Sequence, residues 1–489
     1  MSRSATDFRA LFAPRTVAVV GASASKATMG NTFMRRIREF GFAGEIYPIH
    51  PTAPEIDGVK AWPSLAHTPQ PVDYCFIVVG ASRVPEVIRS GRGRVRFAQV
   101  ISSGFGEVPD GVALQADLLA AARQMGCRIV GPNCLGLYSP RGGITFVEAA
   151  SRTPGAVGVV SQSGGLGTDI VTRGQRRGIA FSGVVTAGNC ADVTPTDLLE
   201  HYLADPHTRV LGAYLEQVRD GRRLFEVLRE AQAAKPVVIL KGGRSAQGSR
   251  AAASHTGALA GNDRVWPALA RQTGCVLVET LDEFLDVLLA LQCLAPRGER
   301  PTDRIVLFGN GGGTSVLACD DFARRGLTLH PFEAASVAAL RALRLPPGTS
   351  IDNPVDAPVA TLRQDDGAIA ETMLQAIQAH SAPDALVMHL NMASFRGRVP
   401  ASVMENLLAA ALRVQQRHPG QAHFLLVLRS EGDPETEALK RGFRELALAA
   451  GVPVFDELAN AAVALAALRA VERFRHTRDA ARAHVASIE

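Results

Sequence analysis

Thr16-Val17-Ala18-Val19-Val20, followed by Gly21-Ala22-Ser23, is the stretch that decides the fold. Its apolar and β-branched residues predict a buried strand, and the small residues after them predict a tight turn. Gly30-Asn31 then opens an amphipathic segment that reaches Phe40. A strand, a tight turn and a helix start form the unit from which parallel α/β sheets are built.

Strands of the same kind, each followed by turn residues, recur along the chain. The pattern predicts further strands at residues 45–49, 74–79, 98–101, 127–130, 156–160, 179–185, 210–215, 237–239, 275–278, 304–308, 385–390, 423–428 and 452–455. Helical segments lie between them, among them 109–125, 195–203, 281–291 and 459–484. This alternation predicts an α/β fold of parallel, doubly wound sheets. Ligands of such sheets bind beyond the carboxyl ends of the strands, so the turns there hold the candidate binding residues.

The chain divides into three such units. A length of 489 residues is enough for about three domains with separate cores. A new strand, glycine-rich turn and helix begin near residue 154, and a third set follows segment 295–301, which is rich in Pro, Gly and charged residues. We expect domains at residues 1–150, 151–295 and 301–489.

Composition and charge exclude several classes of function. Hydrophobic residues make up 47% and charged residues 20%, which is typical of a globular protein. The net charge is only +5 and the arginines are scattered, while aromatic residues make up 6%; both features argue against nucleic-acid binding. The seven cysteines form no C-x-x-C pair, so we expect free thiols and no metal site. No apolar run approaches the roughly 20 residues that span a bilayer, and no signal segment opens the chain. We therefore expect a cytoplasmic protein that does not bind membranes.

A second stretch carries the candidate reactive group. Strand 237–239 leads into Gly242-Gly243-Arg244-Ser245-Ala246-Gln247-Gly248-Ser249-Arg250-Ala251-Ala252-Ala253-Ser254-His255. Small residues without side-chain anchors predict a mobile loop, and its two arginines give it a charge suited to an anion. The single imidazole, His255, stands at its end as a candidate nucleophile. The alternative is a surface histidine with no function.

Glycine-rich turns follow two of the later strands. Ser161-Gln162-Ser163-Gly164-Gly165 opens a helix, so its hydroxyls and free amides form a candidate anion cradle. Gly309-Asn310-Gly311-Gly312-Gly313-Thr314 looks like a phosphate loop, but it lacks the Lys-Ser/Thr ending of a P-loop. We interpret it as structural or as part of a subunit contact.

Motifs over nearly the whole chain together resemble one family. They are Gly21-Ala22-Ser23 with Gly30-Asn31, Ile101-Ser102-Ser103-Gly104-Phe105, Gly131-Pro132-Asn133-Cys134-Leu135-Gly136, Ser161-Gln162-Ser163-Gly164-Gly165, Gly188-Asn189, Tyr214-Leu215-Glu216, Ser254-His255-Thr256-Gly257-Ala258-Leu259-Ala260-Gly261 and Asn353-Pro354-Val355-Asp356. Any one motif is weak, but this many in the same order are specific. The chain resembles the NDP-forming acyl-CoA synthetases, in particular the α subunits of ADP-forming acetate–CoA ligases, which are related to the α subunit of succinyl-CoA synthetase.

The resemblance implies a fold and a reaction. It implies a Rossmann-like CoA-binding domain at 1–150, a flavodoxin-like domain with a phosphohistidine at 151–295, and a second flavodoxin-like domain at 301–489. The reaction makes acyl-CoA from a carboxylic acid, CoA and ATP through an acyl phosphate and a phosphohistidine. The chain shows no ATP-grasp portion, so ATP or ADP with Mg²⁺ is expected on a separate ATP-grasp β subunit, in a complex with two copies of each chain.

The resemblance also implies roles for residues. His255 is the histidine expected to be phosphorylated, and Glu216 is expected to accept its other imidazole N–H and orient the ring. Ser161, Ser163 and Gly164 are expected to hold the phosphoryl group. Five residues of the first domain are expected to hold CoA: Gly21, Ser23, Ser102, Gly104 and Asn133.

Two positions depart from the family's pattern, and one shared residue has a simpler interpretation. Gln217 follows Glu216 where Gly is more usual, and His50-Pro51 stands where Asn-Pro is more typical. These departures leave the geometry of the phosphohistidine pocket and of the CoA site open. Cys134 resembles a family cysteine, but a small buried thiol is the simpler interpretation.

Other functions remain as alternatives. A catalytically silent CoA- or acyl-CoA-binding protein of the same fold is the main one. A nicotinamide oxidoreductase is disfavoured, because the turn from Gly21 to Gly30 is longer than G-x-G-x-x-G and no acidic residue is placed to hold a ribose. The acid stays open among acetate, a branched or aromatic acid and a dicarboxylate, as does the choice between ADP and GDP.

Overall fold

The computed structural model describes residues 7–256, 263–418 and 420–486. The chain forms two compact units, one that ends at Phe284 and one that begins at Leu285. The first unit contains two large sheets, and the second contains one. Within the described ranges, no helix has the length and apolar character needed to cross a membrane.

The first unit alternates strands and helices throughout. Its strands are β1 (Thr16–Val20), β2 (Glu45–Ile49), β3 (Glu55–Ile56), β4 (Val59–Lys60), β5 (Val72–Ile77), β6 (Val95–Val100), β7 (Arg128–Val130), β8 (Leu137–Tyr138), β9 (Val157–Ser161), β10 (Phe181–Thr186), β11 (Val210–Leu215), β12 (Val237–Lys241) and β13 (Val276–Val278). Its helices are α1 (Arg9–Phe12), α2 (Met29–Phe40), α3 (Val84–Ser90), α4 (Val112–Met125), α5 (Gly164–Arg177), α6 (Pro195–Ala204), α7 (Gly221–Ala231), α8 (Ala246–Thr256) and α9 (Val265–Thr273). The division between the units falls within α10 (Leu281–Cys293).

The second unit repeats the alternation. Its strands are β14 (Arg304–Gly309), β15 (Thr328–Leu329), β16 (Val355–Asp356), β17 (Ala385–Asn391), β18 (His423–Arg429) and β19 (Val454–Phe455). Its helices are α11 (Gly312–Arg324), α12 (Ala334–Ala342), α13 (Val359–Leu362), α14 (Ile369–Ser381), α15 (Ala401–Arg417), α16 (Pro434–Ala449) and α17 (Leu458–Ala486).

The three large sheets share one strand order. They run β2-β1-β5-β6-β7, β13-β12-β11-β9-β10-β8 and β15-β14-β17-β18-β19, with β16 also paired to β14. Every pair in them is parallel except β10 with β8. When the antiparallel edge strand β8 and the two-residue strand β16 are set aside, the first strand of each sheet lies between the second and the third, which is the 2-1-3-4-5 order of flavodoxin-like folds. The predicted α/β fold is confirmed, and the switch points lie between β1 and β5, β9 and β11, and β14 and β17.

The central strands are buried along their whole length, which is why they read as continuous apolar runs. Aromatic side chains attach the helices to them. Phe33 of α2 stacks on Phe76 of β5 with ring centroids 3.9 Å apart. The apolar face of α2 therefore lies against the sheet, and the amino end of the helix lies beyond the carboxyl end of β1.

The segment after β12 differs from its prediction. We expected a mobile loop up to His255, but residues Ala246–Thr256 form helix α8. Alanine, arginine and glutamine favour helices, and the Ser245 hydroxyl accepts a hydrogen bond from the Gly248 N–H at 3.0 Å, as an N-cap residue does. Residues 257–262, which follow α8, lie outside the described ranges.

Candidate active site

Four loops contact one another at the carboxyl edge of the first sheet. Gly21 follows β1; its φ is +108°, and a Cβ there would lie 2.3 Å from the Val78 carbonyl oxygen. Ser102, after β6, donates its hydroxyl hydrogen to the Val79 carbonyl, after β5. The N–H of Asn133, after β7, donates to the Ser102 carbonyl at 3.1 Å. The structure therefore places the predicted residues Gly21, Ser102 and Asn133 along one edge.

The predicted residues Ser23 and Gly104 lie at the same edge with their backbone amides engaged. The Ser23 N–H donates to Asn31 Oδ1 at 2.9 Å, and the Ser23 hydroxyl lies 3.3 Å from that of Ser25. The Gly104 N–H donates to the Glu107 carboxylate. Both amides therefore shape their own turns.

A cleft of about 230 Å³ lies between the first sheet's loops and the start of α5. It is lined by Ile101, Asn133, Cys134, Leu135, Gln162, Ser163, Gly164, Gly165, Gly188 and Asn189. The cleft brings together three predicted residues from two sheets: Asn133, Ser163 and Gly164.

A carboxylate that the sequence analysis missed joins the two sheets beside this cleft. Glu107 accepts hydrogen bonds from the Gly104 and Phe105 amides and from Asn189 Nδ2, in the loop after β10. The Asn189 N–H in turn donates to the Pro132 carbonyl at 3.0 Å. Burial raises the pKa of Glu107, but its hydrogen bonds outweigh burial and the pKa lies below its usual value. The ionised carboxylate thus holds the Asn189 loop against the first sheet.

The predicted phosphate-binding residues lie at the end of β9 and in the first turn of α5. Ser163 is the N-cap residue of α5, and its hydroxyl accepts from the Leu166 N–H at 3.3 Å. The Gly164 and Gly165 amides make no hydrogen bond within the described ranges. Ser161 is fully buried, and its hydroxyl donates to the Ser163 carbonyl at 2.7 Å. Ser163 and Gly164 thus line the cleft, while Ser161 supports the turn from below.

Glu216 follows β11 at the second switch point. Tyr214 Oη donates to Glu216 Oε1 at 3.1 Å. Gln162 Oε1, from the turn after β9, accepts from the Glu216 and Gln217 amides, and Gln162 Nε2 donates to the Gln217 carbonyl at 2.9 Å. Burial and the Glu216 carboxylate raise the pKa of Tyr214, so its phenol remains a donor. The position of Glu216 therefore depends on Gln162 and Tyr214, to which we assigned no role from the sequence.

Strand β12 ends beside Glu216. Lys241 Nζ donates to the Glu216 carbonyl at 3.0 Å and to the Gly242 carbonyl. Burial lowers the pKa of Lys241 more than the neighbouring Asp263 and Glu216 raise it. The backbone of His255 lies in α8, whereas its side chain lies outside the described part of the structure. The expected contact between His255 and Glu216 is thus not described.

The two departures from the family pattern keep the local geometry. Gln217 is not among the described residues with positive φ, and Gln162 binds its backbone, so glycine is not required there. His50 Nδ1 accepts from the Thr52 and Ala53 amides at 3.3 and 2.9 Å. An asparagine side chain makes the same kind of turn contact.

Cys134 is a buried thiol, as interpreted from the sequence. Its Sγ lies 3.5 Å from the Val130 carbonyl oxygen and 3.6 Å from that of Val100. Burial raises its pKa, so the thiol is neutral. All seven cysteines are free, and five of them are buried.

The glycine-rich turn after β14 is closed by a carboxylate of its own unit. The Gly311 N–H donates to Asp356 Oδ1 at 2.9 Å, and Arg429 Nη1 donates to Thr314 Oγ1 at 3.0 Å. Asp356 therefore occupies the position at the start of α11 that a bound anion would take. This geometry favours the structural interpretation of the turn.

Comparison with known proteins agrees with this arrangement. Residues 15–140 match the model of a CoA binding domain, and residues 154–291 match that of a succinyl-CoA ligase like flavodoxin domain. The α subunit of acetate–CoA ligase (ADP-forming) II of Pyrococcus furiosus is 34% identical over 462 residues, which cover 94% of this chain and 96% of that one. The α subunit of acetate–CoA ligase (ADP-forming) I of the same organism is 38% identical over 75% of this chain and 80% of that one.

A solved structure extends the similarity to the whole fold. Dinucleotide forming acetyl-coenzyme A synthetase 1 of Ca. Korarchaeum cryptofilum, in complex with phosphate and ADP, aligns with a TM-score of 0.82 and 29% identity. The alignment covers 97% of this chain and 99% of that one. The chain belongs to the family of ADP-forming acyl-CoA synthetases, among the α subunits of acetate–CoA ligases.

Proposed function

We propose that this chain is the α subunit of a ligase that converts a carboxylic acid, CoA and ATP into acyl-CoA, ADP and phosphate. The observation that carries the proposal is the cleft, where Asn133 of the first sheet faces the start of α5. CoA bound at the carboxyl edge of the first sheet would present its thiol there, opposite amides suited to a phosphoryl group. The family relationship supports the same reaction.

The reaction proceeds as a relay through His255. Its imidazole nitrogen attacks the terminal phosphorus of ATP, the bond to the bridging oxygen breaks, and ADP leaves. The substrate carboxylate then takes the phosphoryl group, which frees the imidazole and forms an acyl phosphate. The CoA thiolate attacks the acyl carbon and expels phosphate. Each step therefore has a good leaving group, whereas direct attack of the thiolate on a free carboxylate would have none.

We assign each candidate residue a role from its position in the fold. Glu216 accepts the second imidazole N–H of His255 and orients the ring. Ser163 and the Gly164 amide meet the charge of the phosphoryl group, and Ser161 supports their turn. CoA lies along the loops of the first domain, which carry Gly21, Ser23, Ser102, Gly104 and Asn133. Residues 1–150 form the CoA-binding domain, 151–295 the phosphohistidine domain and 301–489 the second flavodoxin-like domain.

The nucleotide binds to a partner. The chain has no lysine-bearing P-loop, and two relatives that match 94% and 75% of it are named as α subunits. We therefore assign ATP or ADP, with Mg²⁺, to an ATP-grasp β subunit in a complex of two copies of each chain. The acid remains to be chosen among acetate, branched or aromatic acids and dicarboxylates.

The proposal is tested with the native complex, purified through a tag on this chain. Incubation with γ-³²P-ATP should place acid-labile, base-stable label on this chain, and His255→Ala should abolish both the label and ADP formation. When the isolated chain is given ATP, CoA and each candidate acid, it should form no ADP. Label that persists in the variant would place the nucleophile elsewhere, and CoA binding without turnover in the complex would favour a silent binding protein.

A further inference from the structure

Lys241 stands where three elements of the candidate site come together. It is the last residue of β12, and its ammonium contacts the carbonyls of two different strand ends. One is Glu216, after β11, at 3.0 Å, and the other is Gly242, the first residue after β12. We propose that Lys241 is a positioning residue of the phosphoryl relay. Through its ammonium, Lys241 ties the segment that carries Glu216 to Gly242, where the segment that carries His255 begins. The inference rests on the proposed function and adds a residue to it.

The surroundings of Lys241 make this tie strong. The side chain is half-buried, and its Nζ lies 5.7 Å from the ring centroid of Trp266. No carboxylate of the described residues lies within ion-pair distance of the ammonium. Its hydrogen-bond partners are the two carbonyls, and hydrogen bonds from a charged donor are stronger than those between neutral groups.

The two hydrogen bonds of Lys241 lie at the carboxyl end of β12, where the chain leaves the sheet. The Gly242 N–H makes the last contact to β11, donating to the Leu215 carbonyl at 2.9 Å. A Cβ on Gly242 would lie 2.7 Å from Tyr214 Oη, the hydroxyl that donates to Glu216, so backbone and phenol are closely packed. Beyond Gly242 the chain turns into α8, so Lys241 sets the direction in which it leaves. A displacement of about 1 Å in a segment that carries a reacting group can lower the rate of the reaction about 100-fold.

The same chain offers a matched control at the other end of the same strand. Lys235 lies two residues before β12 and is also half-buried, and burial also lowers its pKa. Its Nζ donates to two backbone carbonyls, those of Asp205 at 2.6 Å and Tyr202 at 3.1 Å. Loss of Lys235 thus removes the same chemistry far from Glu216.

The experiment compares Lys241→Met with Lys235→Met in the native complex. With γ-³²P-ATP and rapid quenching, we expect label to appear on His255 about 10-fold more slowly in Lys241→Met and at the wild-type rate in Lys235→Met. The KM for CoA should stay within about twofold in both. Lys241→Cys alkylated with 2-bromoethylamine, which rebuilds a lysine analogue, should regain the rate, with alkylated wild type run in parallel.

Three outcomes would overturn the inference. Labelling of Lys241→Met at the wild-type rate would show that the tie has no part in the relay. Equal slowing in Lys235→Met would assign the effect to general loss of stability. Absence of label from the wild-type chain would instead overturn the proposed function, and the inference with it.

Discussion

At the scale of single residues, the Tyr214 hydroxyl is a hydrogen-bond partner of the Glu216 carboxylate. Tyr214 Oη donates to Glu216 Oε1 at 3.1 Å, and hydrogen bonds to charged groups contribute about 1.5–3 kcal/mol. We expect Tyr214→Phe to slow phosphorylation of His255 about 10-fold, because the carboxylate loses a partner that fixes it. The measurement is the single-turnover rate of labelling from γ-³²P-ATP.

Tyr138→Phe is the control for Tyr214→Phe. Tyr138 Oη donates to the Ser151 carbonyl at 2.7 Å, so this variant also loses one phenol hydrogen bond in the same unit. It should label at the wild-type rate. Equal rates in Tyr214→Phe and wild type would mean that Glu216 is held by other contacts.

Gly21 is a poor probe of CoA binding, although the sequence singles it out. Since a Cβ there would lie 2.3 Å from the Val78 carbonyl oxygen, any replacement strains the turn before it affects a ligand. Ser23 is a better probe, because its N–H to Asn31 does not depend on the side chain.

We expect Ser23→Asp to weaken CoA binding about tenfold, because a negative charge would face the CoA phosphates. Calorimetry with CoA measures this, and the neutral Ser23→Asn is the control of similar size. Equal affinity in the Asp and Asn variants would move the CoA phosphates away from this turn.

At the scale of elements, a buried carboxylate of helix α17 links the helix to the segment before β14, in addition to the apolar side chains that the helix buries. Glu472 accepts hydrogen bonds from His423 Nε2 at 2.8 Å and from the Arg297 and Thr302 amides at 3.1 and 2.7 Å. Burial raises its pKa, but these bonds outweigh burial and hold the pKa below its usual 4.5. The carboxylate thus joins the linker before β14 to the C-terminal helix.

The sign of the pH dependence follows from this depressed pKa. Glu472 contributes stability above pH 4.5, its usual value, and the contribution is lost as the pH falls through the lower pKa of the folded state. Glu472→Gln should lower the free energy of unfolding at pH 7 by about 2 kcal/mol and reduce its slope below pH 4.5. Urea unfolding across this range is the measurement, and an unchanged slope would exclude the role.

Strands and helices differed in how well their patterns predicted them. Central strands such as β1, β11 and β18 were predicted within a residue, because burial on both faces leaves a continuous apolar run. Helix α8 was missed because its glycine and serine residues are typical of loops, whereas alanine and arginine favour helix. The Ser245 cap that starts α8 is a local signal that would have found it.

At the scale of the whole molecule, the second unit has its own sheet and its own apolar core, drawn from residues 306–454. We expect a fragment of residues 281–489, which keeps α10 whole, to fold alone. Near-ultraviolet circular dichroism and a cooperative thermal transition are the measurements. A fragment that lacks both would mean that the second unit depends on the first.

The sequence by itself determined the fold class, the family and the candidate residues, because these depend on local periodicity and on motifs in a fixed order. The sequence showed that Asn133 and Ser163 lie in two turns, but it did not show that these turns line the same cleft. Only the tertiary structure decided that Ser161 is buried beneath its turn and that Gln162, Tyr214 and Lys241 hold the Glu216 segment. These contacts join strands that are adjacent in the sheet but distant in the chain, so no local pattern carries them.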